Sequence, residues 1–206
     1  MHASKLLVVG TGNRKKGREL ADLLAPLGLA VRTLAECPGA IAVEENGQTF
    51  AENAVLKATQ QARHLGHWVL ADDSGLEVEA LGGAPGVKSA RYSGPDAADT
   101  SNNQRLLAEL AHVPLAERGA RFVCHMALAD PSGAIRAQSE GRCRGRILLD
   151  GRGPEGFGYD PLFEILEYHR SFGELGSTVK SVLSHRARAV GKMLAEIAAL
   201  LQSGQW

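Results

Sequence analysis

The chain opens on a short, unbroken apolar run, Leu6-Leu7-Val8-Val9, followed at once by Gly10-Thr11-Gly12-Asn13. Leu20, Leu23, Leu24 and Leu27 then recur at i, i+3, i+4 and i+7, which predicts an amphipathic helix from about Arg14. Together these segments form a strand, a glycine loop and a helix. Val31 to Leu34 is expected to be a short strand, and Glu44-Glu45-Asn46-Gly47-Gln48 a polar loop. Thr49 with Glu52 has the spacing of a capping box, and Phe50, Ala54, Ala58, Ala62 and Leu65 share one face of the helix it opens. Gly66 falls where a left-handed terminator belongs. Trp68 to Ala71 predicts a buried strand that ends at Asp72-Asp73-Ser74-Gly75. Asn102 to Ala111 reads as helix, and Arg121 to Ala129 and Ile135 to Cys143 as two long strands joined by the turn Asp130-Pro131-Ser132-Gly133. From about Ser184, an apolar stripe through Val190, Met193, Leu194 and Ile197 predicts a last helix. This order, βα-rich, then β-rich, then helical, argues for an α/β fold with a mixed sheet.

Three polar segments carry candidate chemistry. Backbone N–H groups at the start of a helix attract phosphate, and Thr11, Gly12, Asn13, Arg14, Lys15 and Lys16 occupy such a start. The segment is neither a Walker A loop nor a dinucleotide fingerprint, and a plain βα turn with solvated lysines explains it equally well. Asp72 and Asp73 are adjacent on an extended segment, so their side chains diverge to opposite faces. One can line a site while the other makes structural hydrogen bonds; a simple turn is the alternative. Glu44 and Glu45 are a second source of carboxylates for Mg²⁺, which takes one or two carboxylates plus phosphate oxygens, or else they form a solvated acidic loop. Phe157, set between Gly156 and Gly158 and followed by Tyr159 and Asp160, can stack on a base or fill a core bend. His185 and Arg186 are donors able to read a carbonyl oxygen on a base, and Lys180 is a further candidate phosphate or base contact; all three can equally be surface residues.

Composition narrows the class. The 206 residues suffice for one large domain or two small lobes, and 44% hydrophobic with 22% charged residues is ordinary for a globular protein. Lys+Arg and Asp+Glu are both 23, so the basic surplus of a nucleic-acid binder is missing. The three cysteines, Cys37, Cys124 and Cys143, have neither disulfide-framework nor zinc-ligand spacing, and a reducing cytoplasm is the expected setting. No apolar run is long enough for a signal segment or a membrane span.

The joint order of these motifs is more specific than any one of them. Thr11-Gly12-Asn13 with Lys16 and Glu19 comes first, then Glu44 to Phe50 with Glu52-Asn53-Ala54, then Ala71 to Leu76. Leu81 to Gly86, Ser89 to Gly94, Gly156 to Pro161 and Ser184-His185-Arg186 complete the series. From about residue 5 to residue 200 the chain closely resembles the inosine/xanthosine triphosphate pyrophosphatase family, in particular its bacterial dITP/XTP branch. One departure is Asn46, where many relatives carry threonine.

The resemblance implies a single ITPase-like domain over residues 1–206, with two α/β lobes, a long mixed central β-sheet flanked by helices, and the active site in the inter-lobe cleft. It implies a homodimer and Mg²⁺-dependent hydrolysis of deaminated purine nucleoside triphosphates (ITP, dITP, XTP) to the monophosphate and pyrophosphate. By resemblance, Thr11 to Lys16 bind phosphate, and Asp73 is general base and metal ligand. Glu44 is the other metal ligand, with Glu45 as the fallback. Ser74 contacts substrate, and Phe157, Gly158, Tyr159, Asp160, Lys180, His185 and Arg186 hold the base. The rival expectations are a house-cleaning pyrophosphatase for modified pyrimidine or methylated nucleotides, and a purine nucleotide sensor without turnover.

Overall fold

A computed structural model of the chain describes residues 5–206. Its strands are β1 (Leu6–Val9), β2 (Ala30–Thr33), β3 (Trp68–Val78), β4 (Gly119–Ala129), β5 (Ile135–Ile147), β6 (Phe163–Ile165) and β7 (Arg170–Ser171). Its α-helices are α1 (Arg14–Leu24), α2 (Phe50–Leu65), α3 (Asp99–Glu109), α4 (Phe172–Leu183) and α5 (His185–Gln202). The strands form one mixed sheet in the order β2-β1-β3-β4-β5-β6-β7. β1 pairs in parallel with both β2 and β3, whereas β6 is antiparallel to β5 and to β7.

The chain divides into two compact units, and β3, β4 and β5 each contribute residues to both. The first comprises residues up to Asp73, Cys124–Gly141 and Arg186–Trp206; the second comprises Ser74–Val123 and Arg142–His185. In the first unit, successive residues of the buried strands serve opposite faces, as expected of parallel strands covered on both sides. Leu7 and Val9 pack with Leu20 and Leu24 of α1 and with Val190, Met193 and Ile197 of α5. Val8 packs instead with Ala54, Ala58 and Ala62 of α2. The second unit has its own core, in which Leu76, Leu106, Phe122, Phe163 and Phe172 meet.

Local signals in the sequence correspond to observed caps. Thr49 Oγ1 accepts from Glu52 N at 3.1 Å, and Glu52 Oε2 accepts from Gln48 N at 2.7 Å. Gly66, at φ 66°, ends α2. In the Asp130–Gly133 turn, Asp130 Oδ1 accepts from Ser132 N at 2.9 Å. One expectation is corrected: the strand that begins at Trp68 does not end at Asp72 but runs on to Val78, so Asp72-Asp73-Ser74-Gly75 is extended chain and not a turn. What ends there is the neighbour. The parallel pairing with β1 stops at Val9 opposite Leu70, and Gly10 N donates to Leu70 O at 2.8 Å. The two carboxylates therefore lie just beyond the C-terminal edge of β1, where open α/β sheets bind ligands.

Candidate active site

The phosphate-loop segment is built tightly onto β3. A Cβ on Gly10 would stand 2.8 Å from Val69 Cγ1, so only glycine lets the chain leave β1 this close to its neighbour. Asn13 caps α1, its Oδ1 accepting from Lys15 N at 3.0 Å and Lys16 N at 3.2 Å. Thr11 is buried and its Oγ1 accepts from Asn13 N at 3.3 Å. Gly12, Asn13, Arg14 and Lys15 are exposed, so an N–H-rich turn with basic side chains faces solvent. Lys16 points elsewhere: its Nζ is 3.5 Å from Asp72 Oδ2.

Asp72 and Asp73 diverge as the strand geometry requires. Asp72 is fully buried and faces Lys16 and the Arg186 guanidinium, with Nε at 3.6 Å. Arg186 Nη1 in turn donates to Glu19 Oε2 at 2.6 Å. Asp73 turns to α2, where Lys57 Nζ donates to its Oδ1 at 2.9 Å and Asn53 Nδ2 to its Oδ2 at 3.2 Å. The same Lys57 ammonium donates to Glu45 Oε2 at 3.0 Å. Three charges of alternating sign are thus drawn together from a loop, a helix and a strand.

Burial pushes the Asp73 carboxyl above its ordinary range, and the Lys57 and Lys16 charges only partly offset this. Burial acts the same way on Glu45, but the charge and hydrogen bond of Lys57, with help from Asp73 and Lys16, outweigh it and leave that carboxyl lowered. For Lys57, burial favours the neutral amine, yet Asp73, Asp72 and Glu45 together raise its affinity for the proton. A buried ammonium beside an electron-rich carboxylate pair is the resulting state.

The second unit holds the candidate base-binding residues. Asp160 is 2% exposed, and its Oδ2 accepts from Phe157 N at 2.8 Å and Lys180 Nζ at 2.7 Å. Lys180 Nζ stands 4.0 Å from the centroid of the Phe157 ring, a close cation–π contact. Gly158 O accepts from Asn103 Nδ2 at 3.0 Å. Tyr159 is buried and its hydroxyl donates to Ser89 O at 2.8 Å, which makes it an anchor of the loop. Burial, followed by the neighbouring Tyr92, raises its phenol well above the ordinary value. His185 is buried and stacks on Phe122 with centroids 4.7 Å apart. Ser74 is half-buried on β3.

The structure therefore brings together Phe157, Asp160 and Lys180 in one unit, and Lys16, Asp72 and Arg186 in the other. Arg186 follows His185 directly, yet its side chain packs against α1 and β3. Of the two glutamates, Glu44 is exposed and Glu45 is the one joined to Lys57 and Asp73. Among the described residues, no three His, Cys, Asp or Glu side chains gather as a ready metal cage. Asp73 and Glu45 are nonetheless two carboxylates held to one cation, an oxygen donor set of the kind Mg²⁺ uses with phosphate oxygens.

A family model, that of the Ham1 family, matches residues 7–196. The chain belongs to the Ham1 family. A dITP/XTP pyrophosphatase of Rhodopirellula baltica is 54% identical over 197 residues, which are 96% of this chain and 95% of the relative. Another, from Desulforamulus reducens, is 50% identical over 91% of this chain and 93% of its own length. Among solved structures, a HAM1 protein from Coxiella burnetii superposes with a TM-score of 0.86 at 35% identity, covering 95% of this chain and 99% of that one.

This Ham1 family member also places polar residues to which the sequence motifs gave no role, Asn53 and Glu19, and one they did not include, Lys57. Asn53 and Lys57 lie one position before Ala54 and Ala58, so they form a second stripe beside the apolar face of α2. Both are buried. The readable signal was their i, i+4 spacing next to a buried face, which places a charged residue where a solvated one does not belong. Glu19, one turn into α1, is the partner of Arg186. No helix of the Ham1 chain is long and apolar enough to cross a membrane among the described residues.

Proposed function

We propose that the chain hydrolyses deaminated purine nucleoside triphosphates, ITP, dITP and XTP, to the monophosphate and pyrophosphate. The observation that carries this is the Asp73–Lys57–Glu45 cluster beside the Gly10–Lys16 turn: a carboxylate pair, buried at Asp73 and partly exposed at Glu45, next to a phosphate-attracting helix start. The curated relatives named dITP/XTP pyrophosphatases supply the substrate class.

In this reading, Thr11, Gly12, Asn13, Arg14 and Lys15 bind the phosphate chain through backbone N–H groups and cationic side chains. Asp73 takes the proton of the attacking water, and its upward displacement by burial brings its basicity closer to neutral pH. The role first given to Glu44 is assigned to Glu45, which with Asp73 would hold Mg²⁺. The ion, when bound, supplies neutralising charge to the phosphate oxygens. In the ion's absence Lys57 keeps the two carboxylates together and offsets part of their charge. Asp72 and Arg186 act by positioning: Asp72 fixes Lys16 at the loop, and Arg186 ties Asp72 to Glu19 of α1.

Lys180, held by Asp160 above Phe157, and His185 are assigned to the base. Both present N–H donors, which suit the 6-oxo group of hypoxanthine and xanthine and leave the adenine amino group without an acceptor. Sites built on such hydrogen bonds discriminate by about 10⁴-fold. Ser74, Gly158 and Tyr159 complete the proposed set, Tyr159 by anchoring the loop. A homodimer and a cytoplasmic setting go with this proposal. A panel of ITP, XTP, GTP, ATP and modified pyrimidine triphosphates, assayed with and without Mg²⁺, tests it. The expected result is pyrophosphate released from ITP and XTP only with metal; orthophosphate as the product, or preference for a pyrimidine, overturns it.

A further inference from the structure

The buried polar stripe of α2 does not stop at Lys57. Gln61, one turn further on, is 1% exposed and so as deeply buried as Asn53, also 1% exposed. A primary amide taken fully out of water must recover its hydrogen bonds, and Gln61 does so on a single residue of the acidic segment. Its Nε2 donates to Ile41 O, and its Oε1 accepts from Ile41 N at 3.3 Å. The side chain thereby imitates one rung of a β-ladder against the backbone at Ile41.

The other end of the segment is held from the same stripe. Gly47 N donates to Asn53 Oδ1 at 2.8 Å. A Cβ on Gly47 would fall 2.6 Å from that oxygen and 2.8 Å from Glu52 Cβ, so the approach requires glycine. Between the two clamped ends lies Glu45, held in the middle by Lys57 at 3.0 Å. Residues 53, 57 and 61 recur at i, i+4 and i+8 and so stand one above another on a helix face. They grip the acidic segment at Gly47, Glu45 and Ile41 in antiparallel order. The helix is a template that fixes the whole of 41–47 relative to Asp73.

We propose that Gln61 is a positioning residue for the proposed metal-binding carboxylate Glu45: by clamping Ile41, it holds the acidic segment where Glu45 and Asp73 can share one divalent cation. This rests on the assignment of Glu45 made above. Gln61 touches neither the cation nor the nucleotide in this account, and its effect travels through four residues of backbone. Residues that orient metal ligands in this way typically change metal affinity by about 10- to 100-fold when removed.

The experiment titrates Mn²⁺ alone into the protein, without nucleotide, following free Mn²⁺ by EPR, for wild type, Gln61→Leu, Gly47→Ala, Glu45→Gln and the Gln61→Leu/Glu45→Gln double variant. Thermal melting reports folding separately, and Gly47→Ala strikes the far clamp from the segment's side, with no substitution in α2 itself. The expected result is a loss of Mn²⁺ affinity of about tenfold or more in Gln61→Leu and in Gly47→Ala. The double variant is then no weaker than Glu45→Gln alone, because a misplaced ligand and a missing ligand are the same defect. Half-activation of ITP hydrolysis by Mg²⁺ moves to higher concentration in step. If Glu45→Gln binds Mn²⁺ poorly while Gln61→Leu and Gly47→Ala bind it like wild type, whatever their melting temperatures, the positioning role is overturned. If Glu45→Gln itself binds like wild type, the assignment of Glu45 fails, and the inference with it.

Discussion

The two units each bury a lysine against an aspartate, and the difference between the pairs is instructive. Lys57 sits between Asp73 and Glu45, with Asp72 close enough to add to its hold on the proton. Lys180 faces one carboxylate, Asp160, and the ring of Phe157. In the first arrangement one ammonium serves two carboxylates, Asp73 and Glu45. In the second, an aromatic ring stands where the first has its second carboxylate. The same Lys–Asp pairing thus has a different third neighbour in each unit, and under the proposed function the first serves phosphate chemistry and the second base selection.

The largest effect in this comparison is expected at Asp73. Asp73→Asn keeps the shape and the bond from Asn53 but removes the base, and turnover of ITP falls by about 10³-fold or more with nucleotide binding retained. Turnover within a few-fold of wild type removes Asp73 from that role. Next comes the choice between adjacent glutamates. Glu45→Gln lowers kcat/KM by about 10²-fold, whereas Glu44→Gln, on an exposed residue, stays within a few-fold. The reverse order hands the role back to Glu44.

On the base side, Lys180→Met keeps the length and apolar stem of the side chain and removes the donor. Preference for ITP over ATP is expected to shrink by about 10²-fold or more, seen as the ratio of the two kcat/KM values. A uniform loss on both nucleotides makes Lys180 a structural residue. The smallest effect is expected at a residue in neither cluster. Trp206 stacks on Trp68, at the start of β3, with centroids 4.4 Å apart and planes within 6°. Trp206→Ala is expected to cost about 1–2 kcal/mol of stability by chemical denaturation, with kcat for ITP unchanged. A fall in kcat without a fall in stability shows that the start of β3 is coupled to Asp73.

Much of the first unit was legible in the sequence because its signals are local. Thr49 with Glu52, Gly66, and the leucines of α1 each act within one or two turns of chain. The extent of β3 was not legible, because Asp-Asp-Ser-Gly has the composition of a turn and only its neighbours keep it extended. β6 has three residues and β7 two, too few for any periodicity to show. α4 is interrupted at Gly176, whose φ of 72° and ψ of −179° break the helical repeat, and Lys180 beyond it was placed mainly by its distance from His185. Which of Glu44 and Glu45 meets Lys57 was not legible, because it depends on which face of the loop turns to α2. That is a tertiary fact, set by the buried polar stripe of α2.

The most direct test of the central claim, attack on the α-phosphorus by water activated at Asp73, is hydrolysis of ITP in ¹⁸O-labelled water with mass analysis of both products. The account predicts the label in inosine monophosphate and none in pyrophosphate, at a rate that collapses in Asp73→Asn. Label in the pyrophosphate would mean attack at the β-phosphorus and would contradict it.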